Sequence, residues 1–284
     1  MRDKDGQSNT FHRYARHGWL VLAHEGFPRA ITDLAVRVPE SVTLEPVAAS
    51  PYARVFTGHA NSDGRTFHVY VKQYLYRSAV DRLKHLFRPG RAMRNHAASV
   101  MLTRYGFLCP VVIATACHRP WLVHVPGLRS LPFCLASATV TLAVTNTTPM
   151  HDYFYQIKDM SRKRAFLAAL GGEIGRLHSH QIFHGDLRIG NVLIQEDGDA
   201  WQFWLIDNER TCQFSNLPER HRVKNLVQIH LFVSHLTRAD RWRFFQVYCE
   251  TSGIEGPQQK ALARQVIGRT RQRELARPDL MPPS

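Results

Sequence analysis

At 284 residues, 44% of them hydrophobic, the chain is long enough for one large domain or two lobes with substantial cores, and it shows no internal repeat or low-complexity tract. Its 37 lysines and arginines against 23 aspartates and glutamates give a formal net charge of +14; an acidic partner is expected, but not nucleic acid, since no recognised binding module accompanies the charge. Five scattered cysteines (Cys109, Cys117, Cys134, Cys212, Cys249) without a CxxC pair support neither a disulfide framework nor a structural zinc site, and fit a reducing cytoplasm.

The opening Met1-Arg2-Asp3-Lys4-Asp5 is too charged for a secretory signal, and residues 1–40 read as an N-terminal extension. Strand-rich runs follow at Ser41–Val47, Ala53–Thr57 and Arg65–Tyr74. Between the last two, Asp63-Gly64 supplies the positive φ of a tight hairpin. Lys72 lies inside the third run, on one strand face with His68 and Tyr70. Either it guards an edge strand or it supplies the cation that a nucleotide's α/β-phosphates need. No Gly-x-Gly-x-x-Gly precedes it; Ser50 and the backbone amides of the following turn stand where phosphates would be covered.

Between Asp81 and Asp152 there is no acid, while Arg82, Lys84, Arg88, Arg91, Arg94, Arg104, Arg119 and Arg129 all fall there. This is either a solvated surface or one that faces anions such as nucleotide phosphates or lipid headgroups. A helix is expected over Arg91–Tyr105, stopped by Gly106, and strands over Val111–Ala114 and Ala138–Val144. The longest uncharged run, Ser130–His151, is threonine-rich in its second half and ends beyond Pro149, so no membrane-spanning helix is expected.

Beyond Pro149 the pattern turns helical. Phe166, Leu167, Leu170, Ile174 and Leu177 recur at helical spacing over Ser161–His180, with Ser161 as N-cap. A hairpin of Asn191–Gln195 and Trp201–Asp207 turns at Asp197-Gly198, and helices are expected over Val223–Leu236, Asp240–Thr251 and Gln258–Leu275. Strands with one helix, then a helical half, make an α+β, two-lobed arrangement: a small β-rich N-lobe over 41–147 and a larger helical C-lobe over 148–284. That is the arrangement of kinase-like proteins.

The chemistry concentrates in His184-Gly185-Asp186-Leu187-Arg188-Ile189-Gly190-Asn191, followed by Leu205-Ile206-Asp207 at the end of an apolar strand. An Asp, an Asn five residues on and a second strand-end Asp have the spacing of a phosphoryl-transfer centre. There Asp186 accepts the proton of the acceptor hydroxyl, a task worth roughly 10²–10⁴-fold. Asn191 and Asp207 offer the hard oxygens that Mg²⁺ shares with ATP phosphates. His184 reads as a hydrogen-bonding support for the loop. His178, His180 and His184 do not have the placement of a metal set, two being at a helix end and one in a loop.

The chain resembles the bacterial lipopolysaccharide kinases of the Kdo/WaaP type in the protein-kinase-like superfamily, over roughly 45 to 252. The likeness lies in Arg54-Val55 before a hairpin and the Tyr70-x-Lys72 strand, Gly106-x-x-x-Pro110, Leu177-His178, His184-Gly185-Asp186-Leu187 and Leu205-Ile206-Asp207. It continues through Lys224-Asn225-Leu226 and Thr237–Phe244 with Tyr248. The resemblance implies ATP- and Mg²⁺-dependent phosphorylation of a sugar hydroxyl, on Kdo or heptose, in the lipopolysaccharide inner core or its precursor. It also implies action at the cytoplasmic face of the inner membrane, where the arginine-rich, acid-free stretch Arg82–Arg129 is expected to hold a cytoplasmic protein peripherally on anionic lipid. Two departures stand out. Kinases pair the strand lysine with a helix Glu, but here that helix offers Asn95 or His96. Where the family-like motif reads Lys-Asp-Leu, Asn225 removes a carboxylate that would brace the catalytic loop. The missing Glu motivates a pseudokinase scaffold as the alternative, and the His-Gly-Asp-Leu pattern a RIO-like atypical protein kinase. Asp186, Asn191 and Asp207 argue against a scaffold, which needs none of them.

Overall fold

The computed structural model describes residues 10–48, 50–76, 89–119, 134–230 and 236–276. The chain divides into two compact units, Met1–Met101 with Pro110–Thr145, and Leu102–Cys109 with Asn146–Ser284.

The first unit is built on an antiparallel sheet of seven described strands in the order β1-β2-β6-β7-β5-β4-β3. These are β1 (Phe11–Arg16), β2 (Trp19–His24), β3 (Leu44–Val47), β4 (Ala53–Ser62), β5 (Arg65–Tyr74), β6 (Val112–His118) and β7 (Ala136–Leu142). The strict alternation of β5 explains its place: Phe67, Val69 and Val71 enter the core while His68, Tyr70 and Lys72 share the opposite face. Val21, Ala23, Ile113, Ala114 and Val140 close that core with Ile31 of the short helix α1 (Arg29–Thr32). The hairpin β1–β2 is absent from the sequence-based expectation; β1 buries neither face fully, so it lacks the alternation that announces a strand. Helix α2 (Arg91–Arg104) begins with a buried arginine that donates to the carbonyls of Tyr52 (3.4 Å) and Leu75 (3.2 Å). Arg119 is buried as well. Two members of the acid-free arginine stretch are therefore interior; Arg82, Lys84, Arg88 and Arg129 lie outside the described residues.

The second unit is mainly helical: α3 (Met150–Gln156), α4 (Met160–Ser179), α5 (Glu219–His230), α6 (Arg238–Ser252) and α7 (Gly256–Ala276). The N-cap of α4 is Asp159, which accepts the Arg162 amide at 2.6 Å, rather than the expected Ser161 inside the first turn. A carboxylate is the stronger acceptor there and also complements the helix dipole. Helices α4 and α6 approach closely because Gly171 and Gly175 present no side chain. A Cβ on Gly171 would stand 2.5 Å from the Phe244 carbonyl oxygen, and one on Gly175 2.7 Å from Thr251 Cβ. Helix α6 opens with a reciprocal capping box between Thr237 and Asp240, and Lys163 of α4 pairs with Asp240 at 3.1 Å. The strands of this unit are short: β8 (Thr148–Pro149), β9 (Ile182–Phe183), β10 (Val192–Asp197), β11 (Ala200–Leu205) and β12 (Cys212–Gln213). Helix α5 begins at Glu219, ahead of the expected Val223; residues 231–235 of that expected helix lie outside the described ones.

Candidate active site

The segment His184–Asn191 leaves β9 and enters β10, and buried Leu187 and Ile189 anchor it like two pegs. Arg188 between the pegs turns outward, and Asp186, just ahead of the first, keeps its side chain 20% exposed. Arg188 Nε (2.7 Å) and Gln228 Nε2 (3.1 Å) both donate to Asp186 Oδ1. Oδ2 is the oxygen that these contacts leave for a proton. The Asp186 carbonyl accepts from the Arg188 amide (2.8 Å) and from Asn191 Nδ2 (2.8 Å), so the amide of Asn191 is fixed through its nitrogen and its Oδ1 is the atom that could hold a cation.

Asn191 lies across the β10–β11 ladder from Ile206, whose amide donates to the Asn191 carbonyl at 3.0 Å. Asp207 therefore leaves the hairpin at the same end. Its backbone is left-handed (φ 60, ψ 47), a conformation that Asp tolerates better than most residues, and this turns the chain out of the strand into the 3₁₀ turn Asn208–Arg210. Asn191 and Asp207 together offer one amide oxygen and one carboxylate, the hard-oxygen set that Mg²⁺ completes with phosphates and water. Among the described residues no group of three or more His, Cys, Asp or Glu could hold a metal.

A buried polar frame stands behind Asp186. His184 Nδ1 accepts the Asp186 amide (3.3 Å), so Nε2 carries the hydrogen and donates to Asn208 Oδ1 (3.0 Å). Burial lowers the His184 pKa, against the opposing pull of the Asp207 and Asp186 carboxylates. The ring is thus a neutral clip between the Asp186 loop and the turn after Asp207. Asn225 of α5, fully buried, completes the frame with four hydrogen bonds. Its Oδ1 accepts from the His184 amide (3.2 Å) and from His178 Nε2 (3.1 Å), and its Nδ2 donates to the His184 carbonyl (2.6 Å) and to Gln228 Oε1 (3.1 Å). That last bond orients Gln228 so that its own Nε2 faces Asp186. His178 Nδ1 accepts from Tyr248 Oη (2.9 Å), which accepts from Arg222 Nη1 (2.9 Å). Burial pushes the His178 pKa down to about 3.

The expectation that Asn225 deprives the loop of a brace is therefore corrected. The amide braces it, and does so with both donors and acceptors, which a carboxylate cannot. Gln228 escaped the sequence reading altogether, although its helical spacing from Asn225 was the available signal.

Lys72 and Ser50 belong to the first unit. Lys72 pairs in register with Val55 on β4 and Thr139 on β7, so β5 is interior to the sheet and the edge-guard reading falls away. Its Nζ lies 5.1 Å from the Tyr74 ring centroid. Ser50 is exposed and its carbonyl closes a turn with the Ala53 amide at 3.0 Å. At the positions where a helix Glu was looked for, Asn95 and His96 are both buried. The His96 ring stands edge-on to Phe11 with centroids 4.4 Å apart. Burial first, then His24 and Arg13, push its pKa down to about 4; it is committed to the N-terminal hairpin.

Comparison with known proteins adds three findings. The model of the lipopolysaccharide kinase (Kdo/WaaP) family matches residues 51–248. A curated 3-deoxy-D-manno-octulosonic acid kinase of Pasteurella multocida (strain Pm70) is 39% identical over 70 residues, which is 24% of this chain and 28% of that protein. A solved structure of WaaP in complex with acyl carrier protein superposes with a TM-score of 0.54 at 20% identity, covering 86% of this chain and 91% of the other. At that identity the likeness is one of fold, a kinase-like α+β architecture.

Proposed function

We propose, from the premise that the chain belongs to the lipopolysaccharide kinase (Kdo/WaaP) family, that it transfers the γ-phosphoryl group of ATP to a sugar hydroxyl of the lipopolysaccharide inner core or its precursor, on Kdo or heptose. The observation that carries this reading is the convergence of Asp186, Asn191 and the turn at Asp207 on one rigid frame. Asp186 Oδ2 takes the proton of the attacking hydroxyl. Arg188 and Gln228, held on Oδ1, fix the carboxylate plane. Asn191 Oδ1 and the Asp207 carboxylate would hold Mg²⁺, which when bound neutralises charge on the phosphates. Lys72 serves the α/β-phosphates, and the turn begun by Ser50 covers them. The neutral His184 holds the base-bearing loop and the metal-ligand turn at a constant spacing, which positioning catalysis requires.

For location, we infer peripheral association with the anionic cytoplasmic face of the inner membrane. Among the described residues no helix is long and apolar enough to cross a membrane. The outer face of α7 carries exposed Lys260, Arg264 and Arg271 together with Ile267 (53% exposed) and Leu275 (83%). A basic stripe with apolar residues suits an anionic interface.

The test is Mg²⁺-dependent ATP turnover with purified inner-core glycolipid as acceptor. Asp186→Asn keeps the shape of the loop but removes the base. It should bind ATP as the wild type does and lose at least about 100-fold in kcat; turnover within tenfold of wild type removes Asp186 from this role.

A further inference from the structure

More positive charge surrounds Asp186 than its own chemistry uses. Lys224 of α5 donates from Nζ to the Gly185 carbonyl at 3.4 Å and lies 5.1 Å from the Phe183 ring centroid. Its charge is thereby placed one residue from the candidate base. Position 185 admits no side chain because the Arg210 stem fills that space: a Cβ there would collide with Arg210 Cβ and come within 2.5 Å of its carbonyl oxygen. Arg210 is thus packed against the same residue. Its ion pair with Glu209 is stretched to 3.9 Å, and its side chain is 47% exposed.

We propose that Lys224 and Arg210 form an anion subsite on the acceptor side, which holds a carboxylate or phosphate group of the acceptor while Asp186 addresses the hydroxyl. The proposal rests on the kinase reading for the role of Asp186. Gly185 and Asp186 are consecutive, so the Lys224 contact stands one residue along the loop from the Asp186 carboxylate. The two ends of the loop then divide the work. Asn191, at its far end, joins the hairpin opposite Ile206, whereas Lys224 and Arg210 contact its beginning at Gly185.

The electrostatics support an unfilled demand for negative charge. The Lys224 pKa is lowered, first by burial and then by Arg210, with Arg273 and Arg188 adding to the effect and Asp186 opposing it. The charges of Arg210, Arg273 and Arg188 disfavour this half-buried ammonium in the folded protein, and a bound anion relieves that repulsion. Arg188 is already engaged on Asp186, which leaves Lys224 and Arg210 as the pair to receive a ligand.

The experiment measures binding rather than turnover, so that its failure is separable from failure of the kinase reading. Calorimetry on the full chain uses three glycolipids: a Kdo-bearing lipid A precursor, the same molecule with its carboxyl group reduced to an alcohol, and the same molecule stripped of phosphate. Lys224→Gln and Arg210→Gln should each weaken binding of the parent glycolipid about tenfold or more, as the loss of a charge-assisted contact implies, and leave ATP affinity unchanged. Arg210→Lys, which keeps the charge, should retain most of the binding. The defect should vanish with one altered glycolipid. Loss of the defect on carboxyl reduction identifies a carboxylate, and on dephosphorylation a phosphate. Wild-type binding in both Gln variants, an equal defect with all three glycolipids, or a shift in ATP affinity instead, overturns the subsite. Absence of phosphoryl transfer with a binding pattern as expected would count against the kinase reading alone.

Discussion

Asn225→Asp restores the residue type that the family-like Lys-Asp-Leu motif carries, yet here it should damage the protein. The substitution is isosteric, so packing is conserved and only the hydrogen-bond roles change. The new carboxylate could still accept from the His184 amide and from His178, as the asparagine oxygen does. Its second oxygen, however, would confront the His184 carbonyl, now 2.6 Å from Nδ2, and Gln228 Oε1, now at 3.1 Å. Each buried acceptor stripped of its donor costs about 1–3 kcal/mol, so two cost roughly 2–6 kcal/mol. That is a large part of a typical stability of about 5–15 kcal/mol. Gln228 can escape by turning its amide over, but it then presents an oxygen to Asp186 and loses the donor now at 3.1 Å. Urea unfolding should therefore show a lower midpoint at unchanged slope, and a thermal melt a drop of about 5 °C or more. Turnover should fall while ATP affinity holds. Burial raises the pKa of the introduced carboxyl group above its unfolded value, so the defect should grow as pH rises from about 4 to 7. A variant as stable as wild type at pH 7 would refute the assignment of Asn225 as donor to His184.

Asp207→Ala should weaken Mg²⁺–ATP binding measured by calorimetry without affecting nucleotide binding in EDTA; unchanged affinity with Mg²⁺ removes Asp207 as a ligand. His178 is held neutral with its pKa pushed down to about 3, below its unfolded value of about 6.5. The unfolded chain then binds the extra proton, so stability is full above about pH 6.5 and falls as pH drops toward the folded value. By pH 5 this histidine alone should cost about 2 kcal/mol, and a denaturation midpoint flat from pH 7 to 5 would contradict its burial as the neutral form. Liposome co-sedimentation should show binding to anionic vesicles at low salt, released near 1 M salt where the Debye length is about 3 Å. Lys260→Glu with Arg264→Glu should abolish it, and binding by that double variant would place the membrane contact elsewhere than on α7.

What the sequence discloses about the site is local, and what it conceals is tertiary. Asp186 and Asn191 share one turn-rich segment and Asp207 closes the adjoining strand, so fixed spacings reveal them. Asn225 and Gln228 act from a helix some forty residues later, where they look like ordinary polar positions; only the packing of α5 on the loop turns them inward. Lys224 and Arg210 are likewise two among many cations until Gly185 brings them to one place. Strands with clean alternation, such as β5, are legible, whereas β1, with polar residues on both faces, is not. At the start of α4, Asp159 and Ser161 are both acceptable caps, and the carboxylate prevails.

The frame behind Asp186 has one more property. From Asn208 through His184, Asn225 and His178 to Tyr248, each link in the chain of hydrogen bonds is electrically neutral, and formal charge joins it at Arg222 on its far end and, through Gln228, at Asp186 itself. A nucleotide arriving beside such a scaffold brings several negative charges, and takes a different number away when it leaves. Ion pairs in the same position would stretch or exchange partners as that field came and went. Dipoles locked by directional bonds, with every donor matched to an acceptor, reorient little in it. The loop should therefore keep one shape through the whole catalytic cycle, and the response to changing charge is left to the exposed side chains at its rim.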